Sequence, residues 1–444
     1  MTGDRPAPDG TAADAEGFVE RDRLPGLAPA LRAAARLAGT PVFVTDMPTI
    51  EAAGARLRAA FPDPWIRQYS VKANDVAAIV AAVTAAAAAG ANVVSRGEWA
   101  VARRAGIENA RITLEGVGKT DADLRAAVRA AANGEPLRWI AVESDDETEA
   151  VTTFAARAGL GRDGRPPLDV LFRLNPDVVP ETHAALAVGA GGSKFGMTEG
   201  ELAAAIETAR RAGPGVRARG VQVHVGSQLG AVDAWRDAVR RALATLALVG
   251  GRDADLDTLD VGGGFPVGPF GEPSPGPERF AREVPALLDA LPRDRRPKRL
   301  AIEPGRALVA RAGWLVARVL HVRDREPRQV VVDAGMTELI RPALYGALHG
   351  IVALTSLGQE VAERGAGLDV AEVHGPICEG TDALGRHDLP PLRRGDLVAI
   401  RDAGAYGASQ SSTYNGRPQS PQVLAERDGT PRLVRRRGSV ARLG

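Results

Sequence analysis

The feature that most constrains this chain is a rhythm: between residues 66 and 306, short runs with strand character alternate with alanine-rich helical stretches. The runs are RQYSVKAN, ANVVS, RITLEG, RWIAVES, VLFRLNP, VQVHVGS, TLDVGGG and RLAIEPGR, eight in all. Eight β-α units over roughly 240 residues match an α/β barrel of the (β/α)8 TIM type, whose strand C-termini converge on one mouth. The residues able to do chemistry stand at those ends. Lys72 closes the first run and Arg173 the fifth; His224 and Ser227 belong to the sixth, Gly262, Gly263 and Gly264 to the seventh, and Glu303 with Arg306 to the eighth.

After about residue 310 the texture changes to short β-rich runs, WLVARVL, RQVVVDAG, DVAEVHG and DLVAIRDAG. PQVLAERDGTPRLVRRRG follows, where Asp428 and Gly429 predict a hairpin turn. The expected division is a leader and N-terminal segment over 1–40 that packs with a β domain, a barrel over 41–310, and a C-terminal, mainly β domain over 311–444. A chain of 444 residues has room for two such units. Residues 1–17 are polar and acidic, lack the apolar stretch of a signal peptide, and read as a disordered leader. Residues 76–94 carry no charge over a length sufficient for a bilayer, but Gly90 and Asn92 split them into a covered barrel helix and a strand.

Charge narrows the partners. Lys plus Arg number 56 against 55 Asp plus Glu, so no field attracts nucleic acid or an anionic membrane, and any anionic ligand must be held by local groups. The single cysteine, Cys378, excludes an intrachain disulfide and a multi-thiolate metal site. No metal centre is expected, and the reducing cytoplasm is the expected compartment.

Singly, the mouth residues have plain structural readings. Lys72, beside Tyr69 and Val71, reads as an amine desolvated at a strand's inner end and so lowered toward its nucleophilic neutral form; a snorkelling lysine has the same local sequence. Glycines 262–264 let backbone N–H groups approach a phosphate, or simply form a flexible turn. Arg306 offers a fork of donors to phosphate or carboxylate, or a surface ion pair. Glu303, ending an apolar run, needs a cationic or protonated partner, which Arg306 alone would supply. His224, between two valines, reads equally as a satisfied core histidine. Together, an amine, a phosphate cradle, a carboxylate and a flat imidazole are what an aldehyde-bearing, phosphorylated pyridinium cofactor requires.

The motifs YSVKAN (69–74), VVSRGE (93–98), SKFGM (193–197), HVGSQ (224–228), GGGFP (262–266), EPGR (303–306), RPALY (341–345), GPICEGTD (375–382) and DAGAYG (402–407) occur in that order. Through them the chain resembles, over nearly its whole length, the fold-type III pyridoxal-phosphate decarboxylases. That group contains diaminopimelate and ornithine decarboxylases, and the diaminopimelate pattern is the nearer. The resemblance implies an alanine-racemase-like barrel with pyridoxal 5′-phosphate joined to Lys72, His224 stacked on its ring, and Glu303 paired with the ring nitrogen. It implies that Ser227, Gly262, Gly263, Gly264, Gly305, Arg306 and Tyr406 surround the phosphate. Arg306, Arg341, Tyr345, Glu379 and Tyr406 would face a small amino-acid substrate, and Cys378 would donate a proton. Cys378, Glu379 and Tyr406 would come from a second subunit, making a homodimer with shared active sites.

Three positions depart from the diaminopimelate pattern. Glu115 in ITLEGVGKT and Gln222 in VQVHVGS stand where a histidine is usual, and Gly380 in CEGTD replaces a serine. Arg341, Tyr345, Glu379 and SSTYNGRP (411–418) follow it. The resemblance therefore implies decarboxylation of meso-diaminopimelate to lysine. The alternative is a specialised decarboxylase of another amino acid, free or tethered to a carrier protein. A fold-type III racemase would need a base opposite the lysine and is not expected to carry GPICEG; a non-catalytic cofactor-binding relative would lack residues 310–444. A bare structural barrel would bind no cofactor.

Overall fold

The computed structural model describes residues 23–179, 182, 189, 192–250, 255–361 and 367–442, so the leader expected at 1–17 lies outside the described residues. After β1 (Val42–Asp46) come eight parallel strands: β2 (Ile66–Ser70), β3 (Gly90–Val93), β4 (Ile112–Leu114), β5 (Trp139–Val142), β6 (Leu168–Leu174), β7 (Val216–Val223), β8 (Thr258–Asp260) and β9 (Arg299–Ile302). They pair in sequence and close, β9 returning to β2. Each of the eight runs read from the sequence supplies one of them.

Parallel strands covered by helices must be apolar or satisfied on both faces. Accordingly β3, β5 and β8 are buried at every residue. Local chemistry fixes where the helices begin. Ser95, Thr120, Ser144 and Thr198 each accept the backbone N–H of the acidic residue three positions on, Glu98, Asp123, Glu147 and Glu201. The uncharged stretch 76–94 is the helix Ala77–Ala87 followed by β3. Among the described residues no helix is long and apolar enough to cross a membrane.

One strand corrects the expected division. β1, expected inside the barrel segment 41–310, lies in a nine-stranded sheet of the second unit. There it is antiparallel to β10 (Gly313–Arg323) and parallel to the strand Gln422–Ala425. All five of its residues are buried, because its two faces meet two cores. Phe43 packs with Leu315 and Leu339, while Val42 and Val44 pack with Leu27, Leu31 and Trp314. The helix Leu24–Ala38 supplies Leu27 and Leu31 and covers that second face. β11 (Arg328–Val332) and the strands Asp369–His374 and Ala383–Leu389 extend the sheet, and the turn at Asp428 and Gly429 joins Gln422–Ala425 to Pro431–Arg435.

The two units are joined at the mouth. Tyr406 N–H donates to Ala73 O at 2.8 Å, Asn74 Nδ2 to Gly404 O at 3.2 Å, and Ser409 Oγ to Lys72 O at 2.9 Å. The loop 402–410 thereby holds the end of β2 in place.

Candidate active site

A cavity of about 560 Å³ opens where the barrel strands end. Lys72, His224, Ser227, Glu303, Gly305, Arg306, Arg341, Tyr345 and Tyr406 line it, as do Gly264 and Arg173. Lys72 sits in the turn Val71–Ala73 just beyond β2. It is exposed to the open cavity. The desolvation expected of it is therefore not provided by the strand, because β2 ends at Ser70 and Lys72 projects past the covered pleat.

His224 is tied down from its other side: Gly263 N–H donates to His224 Nδ1 at 3.2 Å. That bond leaves the proton on Nε2. Burial, then the charges of Lys72 and Arg173, hold its pKa well below the usual imidazole range. The ring is consequently neutral, and it lines the cavity.

Arg306 is buried, and its Nη2 donates to Ser227 Oγ at 3.0 Å while its guanidinium lies 4.7 Å over the Tyr406 ring. Burial lowers its pKa to about 10, so it stays cationic at neutral pH. Its Nε is buried with no partner. Beside it runs the glycine turn. Gly262 and Gly264 have φ of 68° and 100°, and a Cβ on Gly262, Gly263 or Gly264 would run into Val223 O, Glu303 O or Gly226 O. Only Gly264 of the three lines the cavity; Gly262 and Gly263 make the turn that carries it. A cradle with no room for side chains, next to a buried arginine with a spare donor, fits a phosphate.

The floor of the site is acidic. Glu303 follows β9 and accepts from Gln222 Nε2 at 3.0 Å. Asp260 ends β8 and accepts from Gly262 N–H at 2.9 Å. Glu115 follows β4 and accepts from Asn92 Nδ2 at 2.9 Å. Each places a carboxyl oxygen within 4.8 Å of the others. Burial, then the charge of Asp260, pushes Glu303 up to about 8. Burial, then Glu115, pushes Asp260 up to about 8. A buried carboxyl of this kind fits the nitrogen of a pyridine ring, which needs a partner there.

The sign of the resulting pH dependence is fixed. The folded chain keeps protons that the unfolded chain releases in the ordinary carboxyl range, so stability is full below that range and falls as pH rises toward about 8. Thermal unfolding of the cofactor-free chain should show a falling Tm over that window, and Glu303→Gln should flatten the slope. A slope unaltered by that substitution would exclude Glu303 as its source.

Two sequence-predicted residues lie elsewhere. Cys378 and Glu379 are exposed, do not line the cavity of their own chain, and bond to Asn415 Nδ2 (3.4 Å to Sγ) and Tyr414 OH (2.7 Å). Their loop is fixed by Asp382, whose carboxylate accepts Met336 N–H at 2.6 Å and Ile377 N–H at 2.7 Å. Tyr406 is the opposite case. Expected from a second subunit, it lines its own chain's cavity because its backbone is bonded to Ala73. Sequence reasoning missed Asp260 and Asn92. Asp260 carried one signal, a carboxylate two residues before a glycine whose N–H it can bind.

The family model of the pyridoxal-dependent decarboxylase, pyridoxal binding domain, matches residues 47–310, beginning just after β1. Diaminopimelate decarboxylase of Aquifex aeolicus is 34% identical over 96% of this chain and 94% of its own. That of Vibrio cholerae is 34% identical over 91% and 92%. The chain belongs to the pyridoxal-dependent decarboxylases. Among solved structures, diaminopimelate decarboxylase from Helicobacter pylori complexed with L-lysine is 29% identical to this decarboxylase, with a TM-score of 0.82 over 93% of it and 98% of that chain. Lysine/ornithine decarboxylase from Vibrio vulnificus, at 22% identity and a TM-score of 0.73, shares the decarboxylase fold.

Proposed function

We propose that this decarboxylase converts meso-diaminopimelate to lysine and carbon dioxide in the cytoplasm, with pyridoxal 5′-phosphate attached through Lys72. The observation that carries the reading is the meeting of Lys72, neutral His224, buried Glu303 and buried Arg306 around one cavity. Diaminopimelate decarboxylases matched along nearly the whole chain support the substrate.

When bound, the cofactor supplies an electron sink for the pair released as a carbon–carbon bond breaks. Lys72 Nζ offers the point of attachment and holds a proton at the mouth. His224, with Nδ1 engaged by Gly263 N–H, presents a flat neutral face that keeps water from one side of the ring. Glu303 faces the ring nitrogen. Ser227, Gly264, Gly305, Arg306 and Tyr406 hold the phosphate, with Gly262 and Gly263 shaping the turn. Arg306, Arg341, Tyr345 and Tyr406 orient the substrate's polar ends. Cys378 of the partner subunit gives a proton to the carbon that loses its carboxylate, and Glu379 of the partner subunit faces the substrate. The working unit is thus a homodimer.

The test is carbon dioxide release from the diaminopimelate isomers, lysine, ornithine, arginine, glutamate and aspartate, with products identified by mass. Lysine formed from the meso isomer is the expected result. Glu115, Gln222 and Gly380 favour the second reading, another amino acid, free or carrier-tethered. Failure on every free amino acid despite bound cofactor would move the assignment to a tethered substrate. Exchange of the α-hydrogen in deuterated solvent without loss of carbon dioxide would replace decarboxylation by racemisation.

A further inference from the structure

Glu115, Asp260 and Glu303 are 5%, 0% and 6% exposed, and each accepts a single N–H. Glu115 Oε1 and Asp260 Oδ2 are buried with no donor. The charged groups acting on the cluster are Lys72 and Arg173. Arg173 is committed to Glu143 at 2.8 Å, and His224 is neutral. Three carboxylates within 4.8 Å of one another cannot all ionise in a site this dry, so at least one proton stays.

Where it stays follows from the hydrogen bonds. Asp260 takes a backbone N–H fixed by the glycine turn, which favours its charge. Glu303 takes the Gln222 amide and, on the reading above, the ring N–H as well. Glu115 has a carboxyl oxygen within 4.8 Å of one on Glu303, and burial, then the charge of Glu303, holds its proton well above the usual carboxyl range.

We propose that Glu115 is held as a carboxylic acid donating to Glu303, so that the ring nitrogen meets a hydrogen-bonded acid–carboxylate pair rather than a lone carboxylate. Sharing the proton disperses the charge on Glu303 and weakens its hold on the ring proton. Glu115 is therefore a positioning residue that tunes the electron sink. This inference rests on the cofactor reading for the ring, though not for the proton.

Infrared spectra of the full chain, with and without cofactor, test the proton. Above about pH 9, where Asp260 and Glu303 have given up the protons they keep to about 8, a carboxylic-acid carbonyl band should remain, shift when glutamate but not aspartate carboxyls carry ¹³C, and vanish in Glu115→Gln. Nitrogen resonance of ¹⁵N-labelled pyridoxal phosphate tests the tuning. In Glu115→Leu the ring should hold its proton about tenfold more tightly, a titration displaced upward by about one unit. Glu115→Gln, which still offers an N–H to Glu303, should titrate like the wild type. A glutamate band undiminished in Glu115→Gln, or identical ring titrations in the leucine and glutamine variants, would overturn the proposal. An intact band without any bound-nitrogen signal in the wild type would overturn the cofactor reading while upholding the shared proton.

Discussion

Replacing Lys72 with alanine should abolish carbon dioxide release, a loss of roughly four orders of magnitude or more, because covalent attachment and proton handling at the mouth disappear together. The same substitution should remove the visible absorbance of bound cofactor and its fixation by borohydride. Folding should be almost untouched. The side chain is exposed, and what anchors the turn is a backbone bond, Ser409 Oγ to Lys72 O at 2.9 Å, which alanine keeps. Circular dichroism and Tm within the range of an ordinary surface substitution would complete the picture. Full activity in Lys72→Ala would end the assignment.

The second large effect concerns the dimer. Cys378→Ala should lower activity by roughly two to four orders of magnitude if its thiol delivers the product's proton. Cys378 is exposed outside its own chain's cavity, so on the proposed reading its target lies on another chain. Mixing inactive Lys72→Ala chains with inactive Cys378→Ala chains should then restore about a quarter of wild-type activity, since half of randomly assorted dimers carry one intact site of two. Verified subunit exchange with no recovery would rule out a site shared in this way.

The barrel was legible because each parallel strand announces itself alone: a short apolar run, a polar or glycine end, then a capped alanine-rich helix. Strand position then placed Lys72, His224, Glu303 and Arg306 at one mouth without any knowledge of packing. What depended on through-space contact was not legible. Nothing in VFVTD says that its neighbours are β10 and a strand near the C-terminus rather than β2. Tyr406 was assigned to the wrong subunit because a motif fixes neither the path of its loop nor the bond to Ala73 that brings it home. Glu115 stood out as an unexpected residue, but only the closed barrel brings it beside Asp260 and Glu303, since the three belong to strands three, seven and eight in barrel order. The exposure of Lys72 turned on two residues of strand length.

The position of β1 also has a temporal meaning. A ribosome delivers Val42–Asp46 before the barrel, yet the two strands that flank it are translated only after the barrel. Until then the nascent β1 has neither of its strand partners, and an unpaired apolar strand is open to wrong pairings. A strand made before the barrel is thus seated only after it, and a clipping near residue 40 would be felt in the sheet that follows the barrel.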